Sequence, residues 1–285
     1  MKIRFIFMVI LCTALSCQSQ PDKLTKKTRI SDRVITFEFL DVNVTAVASK
    51  NGILIIDTHR SPATMVNIVK LIEKEFGRND FKYVLNTHGD YDHSSGNQVF
   101  PHATIIGQEN CPEHMRKFPA NTSKTILYFS QTIAEMKETL KNRDKNLQSL
   151  DKLSEEIKVY NQMLESIKNE YKITPPMKTF KDSLILDLDD LTLKMFYCGK
   201  AHTDNDIMIY IPEEKLVFTG DLFTSKYSFG FGVNMSNDVQ RVITTMNMIM
   251  KNPSGVECVI PGHGETMSEN DFAGLRDLLT AKFLR

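Results

Sequence analysis

Two spacings of apolar residues divide this chain. Runs such as Gly52-Ile53-Leu54-Ile55-Ile56-Asp57, Phe81-Lys82-Tyr83-Val84-Leu85 and Lys215-Leu216-Val217-Phe218-Thr219 are short, rich in β-branched and aromatic residues, and bounded by turn formers. Such runs predict strands. On the same grounds strands are expected within 33–57, at 81–87 and 103–107, and then at 184–189, 191–197, 206–211, 215–219 and 256–260. Apolar steps of three and four predict helices at 62–76, opened by Ser61-Pro62, near 236–251 and at 269–283. Periodicity alone supports a mixed α and β chain in two similar halves.

Residues 124–172 interrupt that pattern. They contain no Gly or Pro, and apolar residues recur at Ile126, Phe129, Ile133, Met136 and Leu140 and again from Leu147 to Tyr171. This seam predicts two antiparallel helices with a polar turn around 141–146, one long helix being the alternative. The insertion is expected to act as a lid or buttress over a cleft, with a coiled-coil dimer contact as the other reading; the oligomeric state is left open.

Chemistry gathers where the predicted strands end. Phe81–Leu85 opens into His88-Gly89-Asp90-Tyr91-Asp92-His93, which packs four metal-ligand side chains into six residues. His202 follows the run at 191–197, Asp221 ends Thr219-Gly220-Asp221, and His263 sits in Pro261-Gly262-His263-Gly264. Burying an ionised carboxylate beside an imidazole costs several kcal/mol unless both find partners, and a divalent cation satisfies both residue types. Four of the seven histidines occupy these strand ends, which a polar helix-capping turn at Ser94 to Gly96 would not explain.

The set His88-x-Asp90-x-Asp92-His93, Gly199-x-x-His202-Thr203, Thr219-Gly220-Asp221 and Pro261-Gly262-His263-Gly264 resembles the metallo-β-lactamase superfamily. Val47 to Asp57, ending Gly52-Ile53-Leu54-Ile55-Ile56-Asp57-Thr58, resembles that family's early strand pair ending in Asp. The resemblance implies an αββα sandwich, an α+β fold of two mixed sheets with outer helices, over residues 33–283 and carrying the helical insertion 124–172. It implies two divalent metal ions: His88, Asp90 and His202 at one, Asp92, His93 and His263 at the other, Asp221 between them. Asp90 departs from the pattern, for the family usually has a histidine there. The extra carboxylate lowers the net charge of the site and so weakens its Lewis acidity. Zinc is the expected metal, with manganese or iron as harder alternatives. Either Asp90 is a true ligand, or the first position binds weakly and only the second fills.

A cation of this kind lowers the pKa of its bound water to roughly 7, which supplies a hydroxide nucleophile at neutral pH. Asp92 is the expected catalytic residue, orienting that nucleophile or moving its proton. No G-x-S-x-G elbow or phosphate loop competes with this reading. The glycine-rich Ser228 to Gly232 is expected to be a loop beside Asp221. The expected function is metal-dependent hydrolysis of an ester, thioester or amide bond, including a β-lactam, in a small-molecule substrate. The alternative is a metal-binding protein without turnover whose helical insertion binds a partner.

Met1-Lys2-Ile3-Arg4 followed by apolar Phe5 to Leu15 predicts a signal peptide over 1–17, and Ala14-Leu15-Ser16-Cys17 resembles a lipoprotein processing box with 18–32 as tether. The expected address is the bacterial cell envelope, lipid-anchored through Cys17 and facing the periplasm; release into the periplasm is the alternative. With 35 basic and 35 acidic residues the chain has no field to draw in nucleic acid. Beyond the signal, Cys111, Cys198 and Cys258 permit at most one disulfide. Cys198, at a strand end, is expected to be a buried thiol.

Overall fold

The structure, a computed structural model, describes residues 26–118, 122–142, 147–169, 171–225, 228–229 and 238–283. The signal peptide, Cys17, the start of the tether and Gly230 to Gly232 lie outside the described residues.

A seven-stranded sheet runs in sequence order: β1 (Lys26–Arg29), β2 (Val34–Phe39), β3 (Val42–Ser49), β4 (Gly52–Ile56), β5 (Phe81–Leu85), β6 (Thr104–Gln108) and β7 (Lys178–Phe180). Its first four strands are antiparallel neighbours, and β4 to β7 are parallel. A second sheet follows from β8 (Ser183–Asp187), β9 (Thr192–Tyr197), β10 (Ile207–Ile211) and β11 (Leu216–Gly220). A two-stranded ribbon, β12 (Phe223–Ser225) with β13 (Ser228–Phe229), precedes the last strand, β14 (Cys258–Pro261), which joins this sheet parallel to β11.

Alternation along the strands builds the layers, because successive side chains point to opposite faces. In β4, Leu54 and Ile56 enter the core between the sheets, while Ile53 and Ile55 face the helix α1 (Pro62–Phe76). In β10, Ile207, Ile209 and Ile211 meet the same inter-sheet core, and Met208 and Tyr210 face the opposite side. Both faces of these strands are buried, which is why they read as continuous apolar runs. Along the chain, α2 (Tyr91–Ser94) falls between β5 and β6, and α3 (Cys111–Lys117), α4 (Ser123–Asn142) and α5 (Leu147–Asn169) between β6 and β7. The far side of the second sheet is covered by α6 (Val239–Met250) and α7 (Glu269–Phe283), through Val242, Met246, Phe272, Leu275 and Leu279. The result is the expected αββα sandwich.

Local signals fix the helix ends. Ser61 Oγ accepts from the Thr64 backbone N–H at 3.2 Å, Pro62 opens α1, and Gly77 closes it in the left-handed region at φ 65°. The insertion forms two helices packed on each other, with Phe129 against Tyr160 at 5.8 Å between ring centroids; residues 143–146 of its turn lie outside the described residues.

Several expected boundaries differ. Lys26–Arg29, placed in the tether by its polar composition, pairs as an edge strand with Ile35 to Glu38. The strand expected at 81–87 stops at Leu85, because Asn86 and Thr87 turn away to hydrogen-bond Asn97 and Asp57. The three-residue β7 escaped the periodicity, being too short to show one.

Ile209 is fully buried where the two sheets meet. Ile209→Ala is expected to lower unfolding stability by about 2–5 kcal/mol in a denaturant titration, through lost burial and the cavity left behind.

Candidate metal centre

Seven side chains from four strand-end loops converge at one edge of the sandwich. After β5, the chain delivers His88, Asp90, Asp92 and His93, the last two from the single turn of α2. The loop after β9 brings His202, the end of β11 brings Asp221, and the end of β14 brings His263. The two sheets are stitched together beside this edge: Asn43 N–H donates to Gly262 O at 2.9 Å, and Asn43 Nδ2 donates to the Pro261 and Gly264 carbonyls.

The ligand atoms fall into two groups, His88 with His202 and Asp221, and Asp92 with His93 and His263. Asp221 reaches all four imidazoles. Its Oδ1 is 3.3 Å from His93 Nε2, and its Oδ2 lies 3.2 Å from His263, 3.7 Å from His202 and 3.9 Å from His88. Asp92 Oδ2 faces His263 Nε2 at 3.4 Å. Asp90 stands beside the first group, its Oδ2 3.1 Å from His202 Nε2 and 3.7 Å from His88 Nε2. All seven residues singled out from the sequence are thus brought together.

Hydrogen bonds behind the rings aim the ε nitrogens inward. His93 Nδ1 donates to Asp57 Oδ2 at 3.1 Å, while Asp57 accepts from the Thr87 N–H and hydroxyl. His263 Nδ1 donates to the Asp41 carbonyl at 3.1 Å, and His88 Nδ1 pairs with the Thr87 hydroxyl. A partner on Nδ1 fixes the ring and leaves Nε2 as the donor to a metal.

The atoms that point inward fit a pair of cations. His93 Nε2 and His263 Nε2 face each other at 3.1 Å, and His88 Nε2 and Asp221 Oδ1 are buried with no hydrogen-bond partner. Such buried polar atoms are costly unless something satisfies them. The donor set of imidazoles and carboxylates suits zinc or a neighbouring divalent metal.

The electrostatics point the same way. Burial works against ionising Asp221, but the His93 imidazole and the other rings hold its carboxyl well below the usual range. Burial likewise opposes Asp92, overcome by His93, His263 and Arg60, and Asp90, overcome by hydrogen bonds from His114 and His202. Facing these carboxylates, His202 is pushed up to about 9 and His263 to about 11, both against the opposing effect of burial. His88 alone of the four is shifted down, by burial and by the neighbouring His93.

Four supporting residues were not legible as site residues in the sequence. Arg60, nearly buried, donates to Asp41 Oδ1 at 2.9 Å and lies 3.9 Å from Asp92 Oδ2, under the Tyr160 ring of α5. Asp41 reaches His263 from behind. His114 of α3 donates to Asp90 Oδ1 at 2.6 Å. Tyr91 stacks on Phe118 with centroids 5.2 Å apart and meets Phe129 of α4 edge-on, so the insertion buttresses the metal loop itself. Arg60, Asp41 and His114 carry no motif and act only through the tertiary fold, while Tyr91 fills an unspecified position of the His88–His93 stretch. Cys198 is buried, as expected, and burial raises its thiol pKa.

Fold and site together define a sandwich of two sheets with metal-ligand loops along one edge. The chain belongs to the metallo-beta-lactamase superfamily, whose sequence profile matches residues 38–268. A metallo-beta-lactamase type 2 from Bacteroides fragilis is 28% identical over 105 residues, 37% of this chain and 42% of that protein. One from Bacillus cereus is 27% identical over 112 residues, 39% of this chain and 43% of that protein. The chain therefore spans about two fifths of the length of these relatives. Among solved structures, a metallo-beta-lactamase from Pontibacter korlensis shares the fold with a TM-score of 0.58 at 15% identity, over 91% of this chain and 100% of that one. The FIM-1 metallo-beta-lactamase from Pseudomonas aeruginosa, in a mono-zinc form, gives 0.59 at 15%, over 92% and 97%.

Gly262 lets Asp221 approach, since a Cβ there would lie 2.1 Å from Asp221 Oδ1 and 2.9 Å from His93 Cε1. Gly262→Ala is expected to displace Asp221 and lower bound zinc per chain, measured by elemental analysis after dialysis, with all seven ligand-type residues intact.

Proposed function

We propose that this chain is a metal-dependent hydrolase that cleaves an ester, thioester or amide bond, a β-lactam included, in a small molecule. The observation that carries the reading is the Asp221 carboxylate set among four imidazoles whose ε nitrogens turn toward it. His88, Asp90 and His202 would hold one divalent cation, Asp92, His93 and His263 the second, and Asp221 would touch both. When bound, such cations supply Lewis acidity toward the attacked carbonyl oxygen and lower the pKa of a neighbouring water to about 7.

The protein's own groups then position and move protons. Asp92 Oδ2 lies 3.8 Å from His93 Nε2, 3.4 Å from His263 Nε2 and 3.9 Å from the Arg60 guanidinium, which together keep its carboxylate ionised, so it can orient the attacking water or take part in moving its proton. The Asp57 carboxylate keeps the His93 ring in one tautomer. Arg60 is engaged with Asp41 and Asp92, which leaves it poorly placed to bind a phosphodiester and favours an uncharged scissile carbonyl.

The relatives named above are metallo-beta-lactamases, and this supports a lactam among the substrates to try first. An envelope address, expected from residues 1–17, suits that substrate class as well. The rival is a metal-binding protein without turnover, its insertion binding a partner. A panel of a lactam, a thioester and a phosphodiester, run with metal content measured in parallel, separates the two. The expected result is at least one metal per chain, carbonyl hydrolysis abolished by chelation and restored by zinc or manganese, and a kcat lowered about 10²-fold or more in Asp92→Asn. A protein that holds less than one metal and stays inert with either ion added contradicts the proposal.

A further inference from the structure

The Asp90 carboxylate is gripped from both sides. Its Oδ2 faces His202 and His88 at the centre, and its Oδ1 accepts from His114 Nε2 at 2.6 Å. His114 belongs to neither metal group. Its other ring nitrogen, Nδ1, lies 3.4 Å from Asp204 Oδ1, on the loop that carries His202. That loop is tied to the start of α3 by Asn110 Nδ2, which donates to the Asp204 carbonyl at 2.9 Å. Gly89 permits the approach of α3, for a Cβ there would meet His114 Cδ2 at 3.0 Å and the Cys111 carbonyl at 3.2 Å.

A carboxylate is an ambiguous ligand where a single donor atom is wanted. It has two equivalent oxygens and a broad, nearly two-fold torsion about its last bond, so it can present either oxygen or both. An imidazole fixed through one nitrogen presents only the other. Taking one Asp90 oxygen into a short hydrogen bond removes the ambiguity and leaves a single oxygen directed at the centre.

We propose that His114 is a positioning residue that makes Asp90 a one-oxygen metal ligand, with Asp204 holding the His114 ring in turn. This inference rests on the reading that Asp90 ligates a cation. Lys117, from the same last turn of α3, also lies 3.9 Å from Asp204 Oδ2.

The test uses the full chain with zinc and with cobalt(II). Zinc affinity is measured by competition with a chromogenic chelator, and the cobalt d–d absorption reports ligand geometry. His114→Ala is expected to weaken one of two zinc sites by about 10–100-fold, the usual effect of losing an outer partner of a metal ligand, and to alter the cobalt spectrum. His114→Gln, which keeps an N–H at similar reach, is expected to restore most of both. In an Asp90→His background the same His114→Ala change is expected to leave affinity and spectrum unaltered, because the residue no longer has a carboxylate to orient.

Wild-type affinity at both sites in His114→Ala overturns the inference while leaving the hydrolase reading in place. So does an equal loss in the Gln variant, or an equal loss in the Asp90→His background, either of which shows that the ring only packs. A wild-type chain that takes up neither zinc, cobalt nor manganese overturns both readings together.

Discussion

Asp221 is the point on which the rest of this site turns. Its carboxylate is almost wholly buried at the end of β11, within 4 Å of four imidazole nitrogens. An ionised carboxylate in such a place costs several kcal/mol unless it is neutralised. Two of the atoms concerned, Asp221 Oδ1 and His88 Nε2, have no hydrogen-bond partner. A divalent cation between carboxylate and imidazoles removes both costs at once, which is why the geometry reads as a metal centre rather than as a polar core network.

The fold must hold these groups together against their own electrostatics, and it does so through backbone that few residues adopt. Asp57 and His59, in the loop between β4 and α1, both have positive φ, 58° and 63°. For residues other than glycine this carries strain of order 1–3 kcal/mol each. The strained loop aims the Asp57 carboxylate at His93 and places the Thr58 N–H 2.8 Å from the His93 carbonyl. It also turns Arg60 inward to meet Asp41 and Asp92. Burial pushes the His59 imidazole down to about 3, so that ring stays neutral beside Arg60. The helical insertion completes the support: Gln162 accepts from Thr64, Tyr160 covers Arg60, and the Tyr171 and Ser95 hydroxyls hydrogen-bond at 3.0 Å.

Much of this was legible in the sequence for a definite reason. Each of His88, His202, Asp221 and His263 follows a strand that reads as an apolar run, and a glycine lies near each, so their position at a sheet edge could be read without a structure. Helix α1 announced itself by Ser61-Pro62 at one end and Gly77 at the other. The edge strand β1 did not, because Lys26-Lys27-Thr28-Arg29 is polar and an exposed edge strand needs no apolar face. His114, Arg60 and Asp41 were illegible as site residues for another reason. Each lies on an element that reaches the site only through packing, and a lone polar residue carries no record of that contact in its local pattern. Asp90 is the mixed case: its place was readable, while the His114 hydrogen bond that defines its behaviour was not.

The proposed function requires seven side chains to form one two-cation centre with Asp90 as a working member. Anomalous diffraction at the zinc edge, on crystals of the full chain grown with zinc, tests it most directly. Two zinc positions flanking Asp221 are expected, with one Asp90 oxygen at roughly 2.0–2.2 Å from the ion it shares with His88 and His202. A single zinc held by Asp92, His93 and His263, with Asp90 turned wholly toward His114, would contradict it.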